Sequence, residues 1–194
     1  MMMMVFIAVE MTQNHIAFLV GRQILDGCLI ANEIINTVKH EDQRLLLFKV
    51  DFEKAFDSVN WDFLRDIMTQ MGFGVKWRKW IGSCLSSTSI SVLINGSPSK
   101  EFHMERGLRQ GDPLSPLLFL LIAEALQVTI TEACNKGVFK GVSLREGGDN
   151  IYFLQYADDA LFFGKWSCLN AKNLIHVLKW FEDASSLKVN LARS

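Results

Sequence analysis

A pair of adjacent aspartates between two apolar runs constrains this chain more than any other feature. Asp158 and Asp159 end the tetrapeptide YADD at residues 156–159, with IYFLQ before it at residues 151–155 and ALFFG after it at residues 160–164. Short apolar runs on both sides of a polar tip predict two strands joined by a tight turn. The two carboxylates are therefore expected to lie together at the exposed end of a rigid strand pair.

A third carboxylate, Asp51, ends another apolar run at residues 45–50. Mg²⁺ prefers carboxylate oxygens and keeps coordination positions open for substrate phosphates. Three acidic residues from two strand ends are the minimum for a two-metal phosphoryl-transfer site. Asp51, Asp158 and Asp159 are therefore predicted to be catalytic residues and ligands of two Mg²⁺ ions, with Mn²⁺ as the alternative ion. A solvated Asp-Asp turn is the competing interpretation.

Composition predicts a globular protein without a strong charge bias. The 194 residues are 49 % hydrophobic and 21 % charged, which fits one domain, or one and part of a second. The net charge of −1 excludes the overall basic field that many nucleic-acid enzymes carry, although a local basic groove stays open.

The cysteines and the apolar segments bear on the compartment. The four cysteines are too far apart for zinc-ligand spacing, and we predict reduced, mostly buried thiols. The apolar start of the chain lacks a basic segment, so no signal peptide is predicted. No run of about 18 apolar residues occurs, which argues against a membrane span or membrane partner. These features favour an intracellular protein, nuclear or cytoplasmic.

Apolar periodicity and turn residues predict an α+β fold. Asn60 is expected to cap a helix from Trp61 to about Gly72, and Asn95-Gly96 is a strong hairpin signal. The remaining predicted elements are helices at 22–39, 75–86, 113–136 and 168–184, and strands at 44–51, 89–94, 100–104, 151–155, 160–164 and 187–191. This order fits an antiparallel sheet with helices on one face, a split βαβ arrangement.

Three strings in this order resemble the catalytic motifs of reverse transcriptases. FKVDFEKAFD at residues 48–57 resembles the first motif, RGLRQGDPLSP at residues 106–116 the second, and YADD the third. Each string alone is a weak signal, but the three together are specific. The amino-acid sequences of these motifs most resemble those of the non-LTR (LINE-type) retroelements common in plant genomes. The resemblance covers about residues 13–194. Flanking strings of that group are GRQILD at 21–26, NGSP at 95–98 and LKVN at 187–190.

The resemblance implies an RNA-directed DNA polymerase that uses an RNA template, a DNA primer and dNTPs. It implies a right-hand polymerase palm with part of the fingers and no thumb over residues 13–194. Residues 1–12 are then an atypical N-terminal extension, because the fingers string expected before residue 13 does not occur there. Other parts of a retroelement polyprotein are implied as partners.

The resemblance also implies substrate contacts. The ring of Phe56 would exclude a ribose 2′-hydroxyl, while Gln110 and Arg109 would contact the nucleotide and Gly111 would permit close approach. Phe52 belongs to the same predicted substrate-binding set. A core position is the alternative for Phe56. A simple loop and helix cap is the alternative for residues 106–112, but it does not explain two arginines beside a glutamine.

Basic residues near these motifs are the predicted nucleic-acid contacts: Lys54, Arg106, Lys76 and Arg78. Lys76 and Arg78 belong to the string KWRKW at residues 76–80, which could follow a phosphate backbone. The preferred interpretation of that string is an amphipathic helix start with two tryptophans in the core.

One position departs from the family pattern. Arg193 stands where the family has a lysine proposed to protonate the leaving pyrophosphate, and arginine donates protons poorly. Two alternatives to a working reverse transcriptase therefore stay open. One is a catalytically incomplete palm remnant, and the other is an RNA-templated RNA polymerase, against which Phe56 argues.

Overall fold

A small antiparallel sheet forms the centre of the computed structural model, which describes residues 24–143, 150–156 and 159–194. Three strands pair in the order β1-β9-β8, where β1 is Leu45–Val50, β8 is Phe153–Tyr156 and β9 is Asp159–Lys165. The helices are α1 Ile24–His40, α2 Ala55–Ser58, α3 Trp61–Gln70, α4 Val75–Ser86, α5 Ser115–Asn135 and α6 Cys168–Ser185. The short strands are β2 Ser89–Ile90, β3 Leu93–Ile94, β4 Ser97–Pro98, β5 Phe102–His103, β6 Val142–Ser143 and β7 Asn150–Ile151.

The sheet is covered on both faces, so the prediction of helices on one face is wrong. Alternate residues of a strand point to opposite faces. Phe162 joins the main core with α3, α5 and α6, whereas Phe163 joins a second cluster with Ile34 and Val38 of α1. The strands carry apolar residues on both faces, as a doubly covered sheet requires. Helix α1 therefore buries the second face.

Helix α5 is the central element of the main core. The sequence predicted one apolar face, but the helix is buried on most of its surface, with Phe119, Ile122 and Leu126 at most 2 % exposed. The helix begins at Ser115 rather than Pro113, and Pro116 lies in its first turn. By length and composition it could cross a membrane, but 61 % of its most apolar window is buried inside the protein, as in a core helix.

Several elements have the predicted local signals. The Asn60 side chain accepts hydrogen bonds from the backbone N–H groups of Asp62 (2.8 Å) and Phe63 (3.2 Å), which caps α3. Gly72 follows that helix in a left-handed conformation, with φ of 78°. Helix α4 has the predicted bounds, and α6 ends one residue later than predicted.

The strand predicted at residues 89–94 is broken in two. Strands β3 and β4 flank the predicted Asn95-Gly96 turn, whose φ angles are 51° and 83°. Strands β2 and β5 pair separately, and their register is shifted by one residue relative to β3 and β4. Between them the Ser99 hydroxyl accepts a hydrogen bond from the Val92 N–H (2.9 Å), in place of a strand carbonyl. The result is a bulged hairpin.

Two further predictions fail on contacts that local sequence does not reveal. Residues 187–191 form no regular strand and make a single bridge, from Val189 to Phe52. The cysteines are not mostly buried, because only Cys134 is partly buried. Burial raises the pKa of the Cys134 thiol to about 11, against a smaller opposing effect of a hydrogen bond with the Gly141 backbone. The exposed thiols are Cys28, Cys84 and Cys168.

Candidate active site

The pairing of β1 with β9 brings two of the three predicted catalytic carboxylates together. The antiparallel register places Val50 opposite Ala160. Continuing that register by one residue places Asp51 opposite Asp159, and directly opposed residues have Cβ atoms about 4.5–5.5 Å apart. Asp158, the third predicted ligand, lies outside the described residues.

The C-terminal segment holds the backbone of Asp51 on both sides. The Asp51 carbonyl accepts a hydrogen bond from the Asn190 N–H (2.8 Å), and the Asp51 N–H donates to the Ser194 hydroxyl (3.4 Å). Two residues after Asp51, the Glu53 N–H donates to the Lys188 carbonyl (2.9 Å). The sequence predicted residues 187–191 only as a strand, with a family likeness at residues 187–190. In the structure this segment positions the first catalytic motif.

Asp159 pairs with a residue that the sequence analysis did not select. The Lys49 ammonium lies 2.9 Å from Oδ1 of Asp159, and both side chains are about half exposed. Position 49 precedes Asp51 by two residues, so strand alternation continued one residue past the end of β1 would put the two side chains on the same face. The two-residue spacing from Asp51 could have selected Lys49 as a residue near the site. Only the register of β1 with β9 shows that its partner is Asp159.

The donor set at this end of the sheet suits a hard divalent cation. Asp51 and Asp159 offer carboxylate oxygens only, the ligand type of Mg²⁺ and Mn²⁺ sites. Within the described ranges, which do not include Asp158, no three His, Cys, Asp or Glu side chains form a metal cluster. The described part of the site thus supplies two of the three predicted ligands.

The two phenylalanines of the first motif have different surroundings. Phe52 is only 5 % exposed and belongs to the main core, so its side chain cannot face a substrate. Phe56 in α2 is partly exposed and stacks on Phe119 of α5, with ring centroids 4.7 Å apart and planes 19° from parallel. One face of the Phe56 ring is therefore fixed by the core.

The first half of the second motif packs directly against the first motif. The N–H groups of Gly107 and Leu108 donate to the carbonyls of Val59 (2.8 Å) and Phe56 (2.7 Å). The Trp61 indole N–H donates to the Gly107 carbonyl (2.7 Å). Gly107 has φ of 86°, and a Cβ atom there would lie 2.6 Å from the backbone oxygen of Asp57. Only glycine fits this junction.

The second half of the same motif is exposed. The Arg109 guanidinium donates to the Thr88 hydroxyl (2.8 Å), and the Gln110 amide donates to the Asp57 carboxylate (3.4 Å). Gly111 also has φ of 86°, but no atom lies within 4 Å of a Cβ built there. This hydrogen bond holds the Gln110 side chain beside Asp57, the residue that follows Phe56.

The predicted nucleic-acid contacts divide into exposed and engaged residues. Lys54 and Arg106 are exposed. The Lys76 ammonium is also exposed and lies 4.9 Å from the ring centroid of Trp80. Arg78 instead joins α3 to α4, because its Nε donates to the Phe73 carbonyl (3.1 Å) and a terminal nitrogen donates to the Thr69 hydroxyl (2.7 Å).

The core interpretation of the KWRKW string is wrong for one of its tryptophans. Trp80 is 51 % exposed, and Trp77 is only partly buried. Their rings meet edge to face with centroids 5.6 Å apart. Arg193 is exposed in the turn after Asn190, to whose carbonyl its N–H donates (3.0 Å).

Comparison with known proteins identifies the family of the chain. Residues 2–194 match the protein family described as reverse transcriptase (RNA-dependent DNA polymerase). The chain belongs to the reverse transcriptase family. Members of this family use divalent metal ions, in keeping with the oxygen ligands of Asp51 and Asp159.

Similar sequences occur in non-LTR retrotransposon proteins, which confirms the predicted group. The transposon TX1 uncharacterized 149 kDa protein of Xenopus laevis is 25 % identical over 174 residues, which are 90 % of this chain. The Pol polyprotein of the type-1 retrotransposable element R2 of Popillia japonica is 26 % identical over 166 residues, which are 83 % of this chain. The chain spans only 13 % and 22 % of the lengths of these relatives.

The fold of this reverse transcriptase chain resembles that of telomerase. The structure of apo telomerase from Candida tropicalis truncated from its C-terminal domain superposes with a TM-score of 0.68 at 12 % sequence identity. The match covers 97 % of this chain and 37 % of the telomerase chain. The mixed helix and sheet arrangement is therefore that of a right-hand polymerase.

Proposed function

We propose that this chain carries an RNA-directed DNA polymerase centre. It would join a dNTP to the 3′-hydroxyl of a DNA primer on an RNA template. The observation that supports the proposal is the β1–β9 register, which ends with Val50 opposite Ala160 and, continued by one residue, aligns Asp51 with Asp159. The family assignment supports the same reaction.

The three aspartates Asp51, Asp158 and Asp159 are proposed to hold two Mg²⁺ ions, with Mn²⁺ as a substitute. Bound divalent ions would favour ionisation of the primer hydroxyl and neutralise the leaving pyrophosphate. The protein's own contribution is placement. The Asn190 and Ser194 hydrogen bonds hold the Asp51 backbone, and β9 holds Asp159, so both carboxylates come from fixed strand ends.

The incoming nucleotide is proposed to lie against Phe56 and the exposed half of the second motif. Phe119 supports the inner face of the Phe56 ring, which leaves the exposed part to exclude a ribose 2′-hydroxyl. Gln110 would hydrogen-bond to the sugar or base, Arg109 would approach the phosphates, and Gly111 would allow close backbone approach. Phe52 could contribute only through its backbone.

The template and primer are proposed to follow the exposed cations Lys54, Arg106 and Lys76. Lysine and arginine near phosphates give salt-dependent affinity. Arg78 would add only its charge, because it is engaged with Phe73 and Thr69. We further propose that residues 13–194 form the palm with part of the fingers. Other parts of a retroelement polyprotein are proposed partners.

Primer extension on an RNA template with dNTPs and Mg²⁺ tests this function. The variants Asp51→Asn and Asp159→Asn should abolish extension. Asp66→Asn is the matched control, because Asp66 is an exposed aspartate on α3 outside this site. Extension by the wild type and the control alone supports the proposal. If folded wild type does not extend a primer, the chain is a catalytically incomplete palm.

The choice of nucleotide tests the role of Phe56 separately. Phe56→Ala should increase incorporation of rNTPs relative to dNTPs, while Phe56→Tyr should keep the preference for dNTPs because it keeps the ring. Preferential use of rNTPs by the wild type would favour an RNA-templated RNA polymerase, and equal use of both nucleotides would contradict the proposed role of Phe56.

A further inference from the structure

The contact of Lys49 with Asp159 suggests a role beyond that of a surface ion pair. Lys49 is opposite Leu161 in the register, so Asp159 is its diagonal neighbour on the same face of the sheet. Diagonal neighbours are within reach of long side chains. The ammonium indeed lies 2.9 Å from Oδ1 of Asp159, and Asp51 is two residues from Lys49 on that face.

The Lys49 ammonium lies beside the same Asp159 carboxylate that a divalent ion would bind. A metal ion bound to Asp159 would bring a second positive centre close to the ammonium, and like charges that share a ligand repel. Both side chains are about half exposed, so the ammonium can move into solvent without leaving a buried charge. The pair can therefore open when an ion arrives.

We propose that Lys49 is a resident counter-ion of the catalytic carboxylates. It neutralises Asp159 in the metal-free protein and is displaced by the divalent ion, so that the ion pair and the metal exclude each other. Lys49 is thus a positioning residue that sets metal affinity and holds Asp159 before the ion binds. This inference rests on the proposed function, because it takes Asp159 to be a metal ligand.

Binding of Mn²⁺ to the purified chain, followed by the electron paramagnetic resonance signal of the free ion, tests the inference without polymerase activity. Replacing the ammonium by a neutral chain in Lys49→Met should tighten Mn²⁺ binding by about two- to fivefold, the range of an exposed ion pair. Lys49→Arg keeps the charge and should stay within about a factor of two of the wild type. Adding Asp159→Asn to Lys49→Met should remove the gain.

The matched control is another lysine ion pair of the described residues, Lys136 with Glu132. Its nitrogen and oxygen lie 3.2 Å apart and both side chains are exposed, but it is on α5 away from the strand ends. Lys136→Met should leave Mn²⁺ binding unchanged. Thermal unfolding adds a second readout, because Lys49→Met should have a lower Tm than the wild type without Mn²⁺ and should lose that deficit with saturating Mn²⁺.

The outcomes separate this inference from the proposed function. If Mn²⁺ binding depends on Asp159 but is unchanged or weaker in Lys49→Met, the Lys49 role is overturned and the polymerase proposal is untouched. The same holds if Lys49→Arg behaves like Lys49→Met. A wild-type chain that binds no Mn²⁺ overturns both the metal site and the role of Lys49.

Discussion

The loop before α5, residues 106–112, has two halves. Each half contains a glycine in the same backbone conformation, but the two glycines differ in burial. Gly107 and Gly111 both have φ of 86°. Gly107 is buried against the first motif, whereas Gly111 is exposed and has open space where a Cβ atom would stand. The same left-handed conformation therefore serves packing in one half and, in our proposal, access of a ligand in the other.

The buried half fixes where the exposed half stands. Gly107 and Leu108 are bonded to Val59, Phe56 and Trp61, so the loop has little freedom up to residue 108. Beyond it, the side chains of Arg109 and Gln110 contact Thr88 and Asp57, and the Asp112 N–H donates to the Arg109 carbonyl (3.3 Å) within the loop itself. An anchored base with an adaptable tip is the arrangement expected where binding residues stand on a rigid scaffold.

The largest effect should come from replacing the two glycines. Gly107→Ala adds both an unfavourable φ, about 1–3 kcal/mol, and a clash with the Asp57 carbonyl, about 1–3 kcal/mol more. Gly111→Ala has only the first cost, because no atom meets the new methyl group. Denaturant unfolding of both variants should show the difference. Equal destabilisation would mean that the Asp57 contact is not restrictive.

A smaller loss of stability should follow from Trp61→Phe. This change leaves the buried Gly107 carbonyl without the indole donor, and an unsatisfied buried acceptor costs about 1–3 kcal/mol. Trp80→Phe is the control, since Trp80 is half exposed and exposed substitutions usually change stability by at most about 0.5 kcal/mol. Equal losses for both tryptophans would count against an anchoring role for the Trp61 hydrogen bond.

The exposed half should respond in activity rather than in stability. Gln110→Ala removes one proposed hydrogen bond to the substrate, of about 0.5–1.5 kcal/mol, which corresponds to a two- to tenfold lower kcat/KM for dNTPs. Its unfolding free energy should stay within about 0.5 kcal/mol of the wild type. Steady-state primer extension measures kcat/KM, and denaturant unfolding measures the free energy of unfolding. Lost stability with unchanged kcat/KM would reverse the assignment of the two halves.

Sequence reasoning succeeded where the determining contacts are local. The Asn60 cap, the bounds of α4 and the Asn95-Gly96 turn depend on residues within one turn of each other. The apolar runs before Asp51 and around the YADD string also predicted the neighbouring strands β1, β8 and β9, although not their register. Three motifs in order then identified the family, because each occupies a fixed place in the same fold.

Several failures depend on contacts between strands or between elements. The break in the 89–94 strand depends on the Ser99 hydroxyl, which competes with the backbone for Val92. The cover of α1 on the second face could not be read from alternation, because both faces of the strands are apolar. The pairing of Lys49 with Asp159 needs the strand register, which a single sequence does not supply.

The smallest effect concerns Lys54, a left-handed residue that is not glycine, with φ of 48°. Lys54→Gly should raise the free energy of unfolding by about 0.5 kcal/mol, because the relief of backbone strain outweighs the cost of the greater conformational entropy of the unfolded chain. Lys54→Ala keeps the strain and should not gain this stability. Both variants should weaken binding of an RNA–DNA hybrid equally and reduce its salt dependence, because both remove the same exposed charge. Tighter binding by Lys54→Gly than by Lys54→Ala would mean that the backbone at residue 54, and not its charge, contacts the nucleic acid.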